Sequence, residues 1–243
     1  MTKIPFVFGI FLISFGCAHQ YNLPANRFDS PEASGKLGSA KVELPGVQTG
    51  PQMVIKPDEG TSDGTDLIAF QLNPILGMRI GLSDRIDGNV RLQANGPLLF
   101  RFKFQAFGEP ETSAKKGNFS ASITSALGFT MVSQAAAISS ETATPDKLNA
   151  TLYSADVGLV AGYRFSPLFL LYGGAAYGYF SYSGSIKSGS SFSGNATMPA
   201  FFLGTQYNKA GLFLNVEVAK ATASAGSKEA GSYYPGILIG LRL

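Results

Sequence analysis

From Gly77 to Phe104 the chain sets a charged or polar side chain at nearly every second position of an apolar run. Met78, Ile80 and Leu82 flank Arg79, Val90 and Leu92 flank Arg91, and Phe100, Phe102 and Phe104 enclose Arg101 and Lys103. Such alternation predicts strands with two chemically different faces. The pattern recurs along the chain. It predicts ten strands, near 36–47, 68–82, 87–95, 98–108, 118–132, 150–165, 168–183, 197–208, 211–220 and 233–243, with eight as the alternative count. In the first, Ala40, Val42 and Leu44 oppose Ser39, Lys41 and Glu43; in the sixth, Tyr153, Val157, Leu159, Ala161 and Tyr163 oppose Ser154, Asp156, Gly158 and Arg164. The stretch 168–183 alternates least clearly, and its faces stay unassigned.

The connections differ in kind. Long polar segments are expected at Thr49–Gly64, Ser133–Asn149, Gly184–Asn195 and Thr222–Ser232, and short ones at Ser83–Ile86, Ser166–Pro167 and Asn208–Ala210. With an even strand count the long segments gather at one end of the sheet. Asn95-Gly96, a tight hairpin signal, and the longer Glu109–Gly117 break this rule.

The first residues, MTKIPFVFGIFLISFGC, read as a secretory signal over residues 1–16 and not as part of the fold. SFGC resembles the lipobox of bacterial lipoproteins, which implies lipidation at Cys17; ordinary cleavage after Ala18 fits the same stretch. Residues 17–35, polar and punctuated by proline, are expected to form a flexible tether, and residues 36–243 the folded domain. Cys17 is the single cysteine, so no intramolecular disulfide forms. Only 14% of residues are charged and 29 are glycine, a composition of strands and turns. After the N-terminus no apolar run is long enough for a membrane helix, so any crossing of a bilayer is by strands. About 9 to 11 residues per strand suffice for that.

Taken together, the chain resembles the small outer-membrane β-barrels of bacteria. The resemblance implies an all-β, closed antiparallel transmembrane barrel, with outer-membrane lipid and the barrel-assembly machinery as partners, long loops outside and both termini periplasmic. YYPGILIGLRL resembles the C-terminal signal of that class, though it ends in Leu243 where an aromatic is usual. Trp is absent, so Tyr153, Tyr163, Phe165, Tyr207 and Tyr233 are the expected interfacial girdle.

The arginines decide which face is inside. A lipid-anchored soluble barrel of lipocalin type would turn the apolar parity inward. The polar parity, mostly Gly, Ser, Thr, Ala and Asn, is too lightly charged for a solvated surface, while a charge facing lipid at the midplane costs roughly 2 to 4 kcal/mol. The expected lumen therefore holds Lys41, Glu43, Arg79, Arg91, Arg101, Lys103, Asp156, Arg164, Glu217 and Arg242. A ten-stranded lumen is narrow enough for these side chains to plug. Arg101 and Lys103 are expected to face Glu217, and Lys41 and Glu43 to face Asp156. Two roles follow, a structural or surface-interacting barrel or a narrow anion-favouring path.

His19 is the only histidine and lies in the expected tether, so chemistry of the Ser-His-Asp type is not expected. Ser113-Ala114-Lys115-Lys116 has nucleophile spacing but no companion motif. No cofactor is expected, and clustered His and Cys ligands are excluded by count, which leaves weak cation binding by carboxylate-rich loops such as Asp58-Glu59. With a net charge of +3 and no basic run, nucleic acid is an unexpected partner. The Asn-x-Ser/Thr triplets at Asn118, Asn149 and Asn195 read as coincidence.

Overall fold

The computed structural model describes residues 19–55, 65–136, 146–186 and 191–243. Cys17, the signal segment and Asp58-Glu59 lie outside the described residues. Strand β1 (His19–Asn22) is followed by ten strands: β2 (Ala40–Ile55), β3 (Thr65–Gly81), β4 (Ile86–Gln93), β5 (Leu98–Phe107), β6 (Phe119–Ala136), β7 (Asp146–Arg164), β8 (Phe169–Ile186), β9 (Ser191–Lys209), β10 (Leu212–Ala225) and β11 (Lys228–Arg242). From β2 to β11 each pairs antiparallel with the next, and β11 pairs back onto β2, which closes a ten-stranded barrel.

The parity read from the sequence sets the two faces. Phe100, Phe102 and Phe104 are exposed outside, while Leu99, Arg101, Lys103 and Gln105 are buried inside. The apolar parity faces out in β6, β7, β9 and β11 as well, with Ile123, Leu127, Leu159, Leu203 and Ile237 exposed. A lipocalin-like arrangement, with that parity in the lumen, is thereby excluded. Aromatic pairs mark one rim of the apolar band: Tyr163 meets Phe165 edge to face at 4.9 Å, and Phe169 lies 4.9 Å from Tyr207. At the other rim Lys220 sits over the Tyr233 ring at 5.7 Å, a headgroup-level pairing of cation and aromatic.

Several strands outrun the expected ones. β7 and β9 each have 19 residues, far above what a bilayer needs. Parts of the segments expected to be long loops are paired strand, and Thr222–Ser232 closes as a tight turn, with Ala225 paired to Lys228. Beyond the lipid both faces of a ladder meet water, so Ser, Thr, Gly and Asn serve and the alternation fades. At this loop end lie the strand ends Ile55, Thr65, Ala136, Asp146, Ile186 and Ser191 and the turns 94–97 and 226–227, opposite the connections of the turn end (82–85, 108–118, 165–168 and 210–211).

The wall is interrupted at β2. Arg242, Leu241 and Gly240 pair with Lys41, Val42 and Glu43, the register then shifts, and the pairing ends at Ile237 with Val47. Pro45, with no N–H to donate, lies in the shift. Gly46 passes so close to β11 that a Cβ would stand 2.8 Å from the Ile237 carbonyl oxygen. Beyond Val47, residues 48–55 are buried on both faces. β1 pairs with this half of β2, His19 opposite Ile55 and Asn22 opposite Gln52. β3 and β11 meet across the gap, Phe70 stacking on Tyr234 at 6.4 Å and Lys228 reaching Asp66 at 3.6 Å.

Two expectations are corrected here. Residues 20–35 are not an external tether: Tyr21 to Ser34 are buried throughout, within the lumen. The polar, proline-rich composition suits a segment without a ladder of its own, and a packed plug satisfies that as well as a free tether does. Nor do both ends of the described chain lie at the turn end. Arg242 is there, but the antiparallel pairing of β1 with β2 puts His19 at the loop end.

Candidate functional site

The lumen has two layers. Toward the loop end it is apolar: Tyr21, Leu23, Met53 and Ile55 from β1, β2 and the plug pack against Leu152, Phe180, Met198, Phe202 and Ala221 of the wall. This explains the blurred alternation of 168–183. On β8, Leu170, Tyr172, Phe180 and Tyr182 point in and are buried, while Leu171, Tyr177 and Tyr179 face out, so both parities are apolar.

Toward the turn end the lumen is ionic, and the plug supplies its centre. Asp29 accepts contacts from Arg27 Nε at 3.4 Å, Arg101 Nη1 at 3.4 Å and Arg79 Nη2 at 4.0 Å. The carbonyl oxygen of Arg27 accepts hydrogen bonds from Arg91 at 2.9 Å and Arg101 at 2.8 Å. Arg27 itself reaches Asp156 at 2.7 Å. Farther down, Lys103 donates to the carbonyls of Ser30 and Glu32 and pairs with Asp87 at 2.9 Å. Asp87 also accepts the Ser34 N–H, and Gln105 that of Ala33. Arg164 clamps both carboxylate oxygens of Glu32, which also accepts from Asn118 at 3.0 Å.

Phe28 has a left-handed backbone, φ 51°, uncommon for a bulky residue. Its neighbours hold it there. The successive N–H groups of Arg27 and Phe28 converge on Glu217 at 2.6 and 2.8 Å, and the Tyr172 hydroxyl donates to the same carboxylate at 3.2 Å. The Phe28 ring fills a small apolar niche with Ile75, Phe213 and Leu238.

The sequence-derived residues are thus inside, but their partners differ from those expected. Arg101 and Lys103 do not face Glu217, and Lys41 and Glu43 do not face Asp156. Glu43 is held on its own side of the barrel by Arg91, at 3.0 and 3.2 Å, Asn89 at 3.0 Å and Arg79 at 3.5 Å. Lys41 pairs with Glu111 of the 108–118 connection. Arg242, partly exposed, reaches the same Glu111 from the turn-end rim. The cause is the plug: it occupies the space across which wall residues would have met.

Glu111 caps this end. Gln206 and Asn208 also donate to it, at 3.3 and 3.2 Å. Burial pushes its carboxyl up, but Lys41 and Arg242 beside it outweigh that and hold its pKa down at about 2. Ser113 lies in the same connection, its hydroxyl donating to Glu109 at 3.1 Å, and it has no contact with Lys116 that would activate it.

Arg27, Asp29, Glu32, Asp87 and Glu111 were missed from sequence. One signal was present: the bases assigned to the lumen outnumber the acids, so further carboxylates were needed there, from the connections, from the N-terminal segment or, as with Asp87, from a strand already counted. A second lies in Tyr21, Leu23 and Phe28, apolar residues of which a solvated tether has no need.

No protein-family model matches this chain, and no curated protein does. Among solved structures, it is similar to Ail, the attachment invasion locus protein of Yersinia pestis, at 11% identity, covering 85% of this chain and all of that one with a TM-score of 0.39. It is also similar to the outer membrane protease OmpT from Escherichia coli, at 11% identity over 89% of this chain and 99% of that one, TM-score 0.42. An anion-selective porin from Comamonas acidovorans is similar at 8% identity over 84% and 98%, TM-score 0.20. The small outer-membrane barrel is the fold of this chain on its own geometry: ten closed antiparallel strands, an apolar outer band and a charged interior.

Proposed function

We propose that this protein is a bacterial outer-membrane β-barrel, its loop end facing outward, with a structural or surface-interaction role and a lumen that does not pass solutes. The observation that carries this is the filled interior. Plug residues from Tyr21 to Ser34 are buried, and their charges and carbonyls are partnered by the wall. The outer face supports the membrane assignment, since a band of exposed Phe, Leu, Ile and Val encircles the strands and would be an aggregation hazard in water.

Lipidation at Cys17 belongs to the same proposal and is supported by SFGC alone. Cys17→Ser then abolishes acyl labelling. The test of the whole reading is fractionation with heat-modifiable gel migration. The protein is expected in the outer-membrane fraction, migrating faster unheated than boiled; a periplasmic product needing no detergent would overturn the proposal.

A further inference from the structure

The plug runs through the barrel and does not merely enter it. At the turn end the Glu111 N–H donates to the Ala33 carbonyl at 2.9 Å, and Gly35 is packed so closely on Thr112 and Pro110 that a Cβ would clash with both. At the loop end the Leu23 N–H donates to the Pro51 carbonyl at 2.9 Å, and the Asn22 N–H to that of Asn95, in the β4–β5 hairpin, at 2.7 Å. His19–Asn22 then continues the ladder along β2 to Ile55, its last residue. The dozen or so residues between these two sets of bonds span up to about 40 Å when extended, against a hydrocarbon core of about 30 Å.

We propose that the N-terminal segment threads the whole lumen and brings His19 out at the loop end, on the external face of the outer membrane. The inference rests on the membrane reading above and deepens it, because it makes the barrel a conduit for its own N-terminus. What the chain carries at that end is thereby displayed outside the cell. The ladder direction requires this outcome: β2 climbs from the turn end to the loop end, and β1 is antiparallel to it with His19 uppermost. The void that touches both Arg27 and Asp156, beside the plug, is only about 10 Å³.

Cysteine accessibility in whole cells tests this. Gln20, Lys36 and Lys228 are all exposed, Gln20 and Lys228 at the loop end and Lys36 at the turn end. Each is replaced singly by Cys in the full chain and probed with a membrane-impermeant maleimide, before and after the outer membrane is opened. The wild-type chain is the blank, since lipidation blocks the Cys17 thiol and cleavage after Ala18 removes it. Threading predicts that Gln20→Cys behaves as Lys228→Cys does, both labelled in intact cells, while Lys36→Cys is labelled only after opening. Gln20→Cys sharing the behaviour of Lys36→Cys would overturn it. If Lys228→Cys stays unlabelled in intact cells while Lys36→Cys labels, the orientation in the functional reading fails, and threading still stands or falls on which of the two Gln20→Cys follows.

Discussion

Glu217 on β10 accepts the backbone N–H of Phe28 at 2.8 Å, so the wall grips the plug through an atom that no substitution of Phe28 other than proline removes. The same carboxylate takes the Arg27 N–H. Wall and plug are thus one hydrogen-bonded unit at the level where the backbone turns left-handed.

Glu217→Ala is expected to leave two buried N–H groups and the Tyr172 hydroxyl without their acceptor. An unsatisfied buried donor costs about 1 to 3 kcal/mol, so a total loss of roughly 3 kcal/mol and a lower temperature of heat modification follow. Glu217→Gln keeps one acceptor oxygen and should lie between. Equal melting of Glu217→Ala and wild type would refute the grip.

Glu43 and Arg91 should be strongly coupled. Arg91 is fully buried with its guanidinium on Glu43, and removing one partner of such a pair costs about 3 to 5 kcal/mol. Replacing both with apolar residues of similar volume, Glu43→Leu with Arg91→Met, should cost less than the sum of the two single changes. A double-mutant cycle in detergent by thermal unfolding reads the coupling directly; additive costs would remove the pair from the account.

Glu111 supplies a pH dependence. Its folded pKa of about 2 lies below the ordinary carboxylate value of 4.5, so its contribution is complete above about pH 4.5 and fades as pH falls toward 2. The contribution is on the order of 3 kcal/mol. The difference in thermal stability between wild type and Glu111→Gln should therefore be constant near neutrality and shrink between pH 4.5 and pH 2. A difference that grows with acidity would have the wrong sign.

The fold was legible because its strongest signal is periodic. Arg79, Arg91, Arg101 and Lys103 could go only where lipid was not, and ten strands followed from the spacing. The plug was not legible, because Asn26, Arg27, Asp29 and Glu32 have no periodicity and look alike in water and in a charged lumen. The partners of Glu217 were unreadable for a further reason: they are backbone N–H groups, to which no residue type points. Pairing across the lumen was argued from strand count alone, which is silent on what stands between. The apolar upper layer was hidden likewise, since Phe180, Tyr182 and Met198 on an inward parity resemble an outward one.

Conductance of the intact purified protein in a planar lipid bilayer tests the central claim, a lumen sealed by the chain's own N-terminal segment. The account predicts a closed barrel, with any residual leak favouring anions because bases outnumber acids on the wall around the plug. A stable, wide and weakly selective pore formed by the intact chain would contradict it.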